Sequence, residues 1–179
     1  MATLKLNSFE LFSQSGTNRP VYGSGVPAGT VVQQVIKNQL IGDGTMNNAD
    51  EYVGNSLTYT SVFFNLNITT KLLNSRIHLF AQSPYVYCQS GTGGEFWFNR
   101  STDNVDVNRS GGDGTGYNEY DSNGGGGIRT FTAYDTPNVA AGTVLNYVIK
   151  YRRYAGSNSA YLIFDRGQFG IFTLTELAA

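Results

Sequence analysis

The sequence predicts an all-β protein, an antiparallel β-sandwich or jelly roll preceded by an extended N-terminal arm. Three observations predict it. From Thr30 onward apolar and polar residues alternate with period two, the alternating runs are rich in β-branched and aromatic side chains, and clusters of Gly, Asn, Asp and Ser separate them. Helical periodicity is nearly absent. The chain has 179 residues, the length of one such sandwich, which divides it into an arm over residues 1–26 and a jelly-roll domain over 27–179.

The arm differs in texture from the rest. Leu4 goes with Leu6 and Phe9 with Leu11 across the polar step Asn7-Ser8, an offset that a bulged strand produces. Two readings stand for it: a segment that leaves its own domain to add a strand to a neighbour, or one that pairs with its own sheet. Gly23-Ser24-Gly25-Val26-Pro27-Ala28-Gly29 is turn material, and Thr30 to Ile36 follows as a strand. Ser56 to Thr70 sets Val62, Phe64, Leu66 and Ile68 on one face, with Phe63, Asn65 and Asn67 on the other. Arg76 to Tyr87 turns Ile77, Leu79 and Ala81 inward and His78 and Gln82 outward, while Pro84, which has no N–H to donate, marks a bend or an edge.

Glu95 to Arg100 is a short aromatic strand in which Phe96 and Phe98 share a side. Asp103 to Gly127 is rich in Gly, Asn, Asp and Ser and ends in four glycines, so it reads as one or two long surface loops with a brief strand at Val105 to Asn108. Strand pattern returns at Ile128 to Tyr134. After Asp135-Thr136-Pro137 it resumes at Thr143 to Tyr154, where Leu145, Tyr147, Ile149 and Tyr151 alternate with Asn146, Lys150 and Arg152. Tyr161 to Phe164 and Phe169 to Leu177 complete about eight strands, the count of a two-sheet sandwich. The last of them is expected to be pinned into a sheet.

Composition narrows the function. Charged residues are 14% of the chain and nearly cancel to a net charge of −1, so copies of the protein repel one another weakly, which suits an assembled life. Twelve Lys and Arg spread along the chain make no basic face for counterion release, and nucleic acid is set aside as a partner. No apolar run approaches the length of a membrane span, and Met1 to Phe12, interrupted by Lys5 and Glu10, does not read as a secretory signal. A cytoplasm, or a particle assembled there, is the expected location. The 12 Tyr, 11 Phe and one Trp supply both an interior and a contact surface.

Chemistry-bearing motifs are sparse. A lone cysteine, Cys88, builds neither an intramolecular disulfide nor a Cys-based zinc site, and reads as a small apolar side chain in or beside a strand. The one histidine, His78, stands between Ile77 and Leu79, and the sequence contains no nucleophile elbow, phosphate loop or paired zinc histidines. Asp103, Asp106, Asp113 and Asp121, with Asn104, Asn108 and Asn118, are hard oxygen donors of the kind that hold calcium, but their spacing fits no calcium loop and a solvated turn-forming loop explains them better. The same carboxylates offer a pair for glycosidase work without the cleft such work needs. Asn67-Ile68-Thr69, Asn99-Arg100-Ser101 and Asn108-Arg109-Ser110 match the glycosylation pattern no more often than this composition gives by chance. The expectation is no enzyme, no cofactor and no metal.

Several stretches, in order, carry a resemblance. They are Pro27-Ala28-Gly29-Thr30-Val31-Val32-Gln33-Gln34-Val35, Ser56-Leu57-Thr58-Tyr59-Thr60, Asn67-Ile68-Thr69 with Arg76-Ile77, Tyr134-Asp135-Thr136-Pro137, Tyr147-Val148-Ile149-Lys150-Tyr151-Arg152 and Phe172-Thr173-Leu174-Thr175-Glu176-Leu177. From Pro27 to Ala179 the chain resembles small jelly-roll virion proteins of tailed phages, including cyanophages, found as capsid decoration proteins and at fibre ends. The resemblance implies a C1q/TNF-like sandwich that packs as a homotrimer, without catalytic residues. Gly111 to Gly127 departs from the more compact pattern of that family.

The expected function is then a capsid decoration or cement protein of a phage virion, assembled in the host cytoplasm, with itself and the major capsid protein or another virion protein as partners. Leu4, Leu6, Phe9, Leu11 and Phe12 of the arm are the candidates for anchoring, and Trp97 and Tyr151 for contacts between subunits, with ordinary burial inside one subunit the other reading of each. The alternative is a tail-fibre or receptor-binding tip, in which Tyr117 and Tyr120, read as loop residues, meet host glycans. A β-scaffold glycan depolymerase is the third class weighed.

Overall fold

The computed structural model describes residues 2–6, 9–14, 21–22, 26–40, 51–53, 60–88, 91–107, 117–121, 125–155, 160–163 and 169–179, with side chains described for 26–37, 65–82, 91, 93, 95, 97–107, 128–150 and 170–179. Every regular element among them is a strand: β1 (Ala2–Leu6), β2 (Phe9–Gln14), β3 (Val21–Tyr22), β4 (Val31–Leu40), β5 (Glu51–Val53), β6 (Thr60–Thr69), β7 (Arg76–Cys88), β8 (Thr92–Arg100), β9 (Val105–Val107), β10 (Tyr117–Asp121), β11 (Gly125–Asp135), β12 (Val144–Ala155), β13 (Ala160–Ile163) and β14 (Phe169–Leu177). All ladders are antiparallel.

The pairing order is that of a jelly roll. In chain order the principal strands are β4, β6, β7, β8, the β9 and β10 position, β11, β12 and β14. The first pairs with the last, β6 with β12, β7 with β11, and β8 with β9 and β10. Wrapping that long hairpin joins β14 to β7 and β12 to β8, which closes two sheets. One is six-stranded, running β4-β14-β7-β13-β5 with β11 on the far side of β7, and the other is five-stranded, running β10-β8-β12-β6 with β9 beside β8.

Period-two patterning places the core between these sheets. Ile77, Leu79 and Ala81 of β7, Phe131 and Ala133 of β11, and Phe172 and Leu174 of β14 face Ile68, Phe98, Leu145, Tyr147 and Ile149 of the other sheet. The Phe98 and Phe172 rings stack at 5.7 Å, tying the two layers at their centre. The inward faces predicted for β7 and β12 are the observed ones over the described side chains, and Asn65 and Asn67 are exposed as expected. Pro84 has no ladder partner. It falls where β7 passes from β14 to β13 on one side, and at the register shift between Gly127 and Arg129 on the other. Val62, Phe63, Phe64 and the residues at 56–59 lie outside the described side chains or residues.

Two expectations are corrected, and a third finding bears on the two readings of the arm. The segment from Asp103 to Gly127 holds more strand than predicted, since β10 pairs along β8 and β11 begins inside the glycine run, with Gly125, Gly126 and Gly127 opposite Cys88, Tyr87 and Val86. Glycine and asparagine depress strand propensity, but a partner strand that supplies main-chain hydrogen bonds overrides it. The first residues are two paired strands, not one bulged strand: Leu6 faces Phe9 across Asn7-Ser8, and a register shift falls between Leu4 and Lys5. Finally, β1, β2 and β3 form their own three-stranded sheet, and no described ladder joins them to the sandwich.

Phe172 fills the centre of both layers with no exposed surface. Phe172→Ala is expected to destabilise the fold by about 3–5 kcal/mol through lost burial and a residual cavity. Urea unfolding followed by circular dichroism measures it, and a loss below about 1 kcal/mol contradicts the placement.

Candidate functional site

Antiparallel register brings the two layers' strand ends together, so one end of the sandwich collects the loops 70–75, 101–104 and 136–143. A buried carboxylate holds the first of them. Glu176, with no exposed surface, accepts hydrogen bonds from the backbone N–H groups of Lys71 (2.8 Å) and Leu72 (3.0 Å) and from Gln33 Nε2 (2.5 Å). Gln33 Nε2 also donates to the Thr69 carbonyl. Thr70 fastens the neighbouring loop, its Oγ1 donating to the Ala140 carbonyl at 2.8 Å and accepting from the Thr143 N–H at 3.1 Å.

Beside it lies a buried charge network. Arg100 Nη1 donates to Asp135 Oδ2 at 2.5 Å, Tyr147 donates its hydroxyl to the same oxygen at 2.7 Å, and Arg100 Nε and Nη2 grip Asp103. Bonding to Asp103, then the Asp135 charge, raises the Arg100 pKa against the opposing effect of burial. Burial, then the Asp135 charge, pushes the Tyr147 phenol far above its ordinary range, so it stays a donor. Bonding to Arg100 holds the Asp103 carboxyl below the usual carboxylate range. This is a fixed structural tie in which each ion has a hydrogen-bonded counterion.

The outward faces of the two sheets differ. On the five-stranded sheet, amides satisfy one another: Asn146 Nδ2 donates to the side-chain oxygens of Asn65 and Asn67, and Ser101 Oγ donates to Asn146 Oδ1. Nearby, Asp106 Oδ1 accepts from Trp97 Nε1 (2.8 Å) and Asn99 Nδ2 (2.7 Å), while Asn104 Oδ1 accepts from Lys150 Nζ (2.7 Å). Asn104 holds a left-handed backbone at φ 57°, a conformation asparagine tolerates in a tight turn.

The outward face of the six-stranded sheet is nearly uncharged, with Ile36, Phe80 and Tyr134 standing among threonine and glutamine side chains. Ladder register aligns Ile36, Thr173, Phe80 and Thr132 in one row and Gln34, Thr175, His78 and Tyr134 in the next. Ile36 and Tyr134 are 52% and 54% exposed, large for such side chains. His78 stacks on Tyr134 at 4.7 Å between ring centroids and shares a hydrogen bond of 2.8 Å with Thr132 Oγ1, while Arg76 lies over the other ring at 4.9 Å. Burial lowers the His78 pKa. Among the described side chains this face carries no carboxylate, and Arg76 is its one full-time cation.

The sequence-predicted site residues scatter. Leu4 and Leu6 lie on β1, and Phe9, Leu11 and Phe12 on β2. Trp97 is 3% exposed inside its own subunit and bonded to Asp106, so it is not a free contact residue; it faces away from the central core and is covered all the same. Tyr151 pairs with Phe96 and Thr60 in mid-sheet. Tyr117 and Tyr120 belong to strand β10, opposite Phe96 and Gly93, and not to a loop as expected. The side chains of the arm residues, Tyr117, Tyr120 and Tyr151 lie outside the described ones. Asp103 and Asp106 are each committed to a neighbour, Asp113 and Asn108 lie outside the described residues, and no group of three or more His, Cys, Asp or Glu among the described residues is placed to hold a metal. Sequence reasoning put His78 outward but did not join it to Tyr134, Phe80 and Ile36; outward parity on four strands was the available signal.

No family model matches the chain, and no curated protein matches it. Among solved structures it is similar to a chain from the structure of infectious bursal disease virus Gx strain, with 11% identity over 99% of this chain and 50% of that one, at a TM-score of 0.21. The chain spans half the length of that viral chain, and a superposition this loose carries no argument about either fold or function. No helix among the described residues is long and apolar enough to cross a membrane.

Asp135→Asn leaves Arg100 buried with half its partners and is expected to destabilise the protein by about 3–5 kcal/mol, read as a lower urea midpoint at an unchanged slope. A second expectation concerns pH. Because the Asp103 carboxyl is depressed in the folded state, its contribution to stability is present above the usual carboxylate range and is lost as pH falls through the lowered value. Asp103→Asn should therefore flatten the acid limb of a stability-against-pH curve, and an unchanged limb contradicts the pairing.

Proposed function

We propose that the chain is a non-enzymatic structural subunit of a virion, a capsid decoration or cement protein that self-associates through the outward face of the six-stranded sheet. The single observation that carries this reading is that face: four hydrogen-bonded strands wide, with Ile36 and Tyr134 exposed, Phe80 part-exposed, and no carboxylate among its described side chains. Exposed apolar area on one face of a soluble sandwich marks a contact surface. An uncharged face accepts a second copy of itself without like-charge repulsion, and the net charge of −1 adds little opposing it at long range.

The sequence resemblance suggests a homotrimer, and in that form the equivalent faces of the three subunits would meet about the three-fold axis. The three-stranded N-terminal sheet, carrying Leu4, Leu6, Phe9, Leu11 and Phe12, is then the element that engages the major capsid protein or another virion protein, since it pairs with neither sheet of its own sandwich in the described ladders. Repetition over a shell multiplies weak contacts into a strong hold. What supports a non-catalytic role is the setting of His78, whose ring stacks on Tyr134 and bonds to Thr132 with no acid or nucleophilic thiol facing it among the described residues.

Sedimentation equilibrium of the purified chain tests the reading. Reversible association is expected, and Ile36→Arg with Tyr134→Arg should weaken it at least about tenfold by placing like charges beside Arg76 in the contact, with unchanged circular dichroism. A monomer at all concentrations overturns it, as does association indifferent to both substitutions.

A further inference from the structure

The chain has a single histidine, and the fold puts it in the middle of the uncharged face. We infer that His78 makes self-association through this face acid-labile, so that the assembled form comes apart as the imidazole protonates. The inference rests on the self-association reading and adds its regulation.

The argument is one of missing counterions. Against His78, β14 presents Thr175, β11 presents Tyr134 directly and Thr132 beside it, β7 itself offers Arg76 and Phe80, and β4 adds Gln34 one strand further out. Arg76 is the one charged group among them and has the same sign as an imidazolium. The carboxylates of Asp135 and Glu176 lie on the inward face, held by Arg100 and by the 70–75 loop. In the free subunit a protonated His78 is hydrated across its exposed edge. Covered by a second copy of this face, it loses that water and gains no carboxylate.

The sign follows directly. Association depresses the His78 pKa below its value in the free subunit, which burial already holds under the ordinary imidazole range. The associated state therefore binds fewer protons, and association is undisturbed above that range and weakens as pH falls through the free-subunit value. The expected size is about tenfold in the association constant per pH unit for each His78 covered. Loss of the Thr132 acceptor geometry is not needed for the effect, since an imidazolium still donates to a hydroxyl.

Sedimentation equilibrium of the full chain at about pH 7.5 and about pH 5, with His78→Gln beside the parent, tests it. The expected result is association of both proteins at the higher pH, a large loss at the lower pH in the parent alone, and circular dichroism unchanged throughout. Equal association at both pH values in the parent overturns the switch and leaves the contact face standing. A loss at low pH that His78→Gln shares also overturns it, because other groups then carry the titration. A parent that is monomeric at the higher pH overturns both the switch and the reading beneath it.

Discussion

The pairing of the first principal strand with the last is the constraint on which the rest of this structure depends. β14 sits between β4 and β7, so the chain's end closes the six-stranded sheet and carries Phe172 and Leu174 to the centre of the core. The same strand delivers Glu176 to the loop between β6 and β7, where its buried carboxylate is satisfied by the backbone N–H groups of Lys71 and Leu72. On its other side, Thr173 and Thr175 lie low between larger neighbours and leave Ile36, Phe80, His78 and Tyr134 as the relief of the outward face. Core, loop end and outward face are three consequences of one strand's register.

The two sheets divide the work of the surface. On the five-stranded sheet, Asn65, Asn67 and Asn146 bond to one another and Asp106 accepts from Asn99 Nδ2, while the buried Asn99 Oδ1 has no hydrogen-bond partner among the described residues. On the six-stranded sheet, described side chains leave apolar area open and unneutralised by charge. The proposal rests on this asymmetry, because exposed apolar area gains by being covered. The buried Arg100, Asp135 and Tyr147 tie fixes the end of the sandwich.

Most of the sandwich was legible in the sequence, because period-two alternation survives wherever one face is buried. Ile77, Leu79 and Ala81 against His78 is the plainest case, and Leu145, Tyr147 and Ile149 another. The pattern failed where side chains do not report burial. Gly125 to Gly127 form a strand by main-chain bonding alone, and Tyr117 to Asp121 are an edge strand embedded in turn-forming composition. Trp97 and Asn99 are buried on the face that alternation assigns to solvent. Glu176 and Asp135 were invisible as partners since their donors lie 105 and 35 residues away along the chain. The proposed contact face was half legible: each of its residues had outward parity, but only the strand order sets Ile36, Phe80 and Tyr134 on the same surface.

Hydroxyl-radical footprinting across a range of protein concentrations addresses that face most directly. Oxidation of Ile36, His78 and Tyr134 should fall as concentration rises, while exposed Leu73 at the loop end keeps its rate. Equal rates at every concentration for all four side chains would mean that the outward face of the six-stranded sheet stays in water, and the assembly account would be wrong.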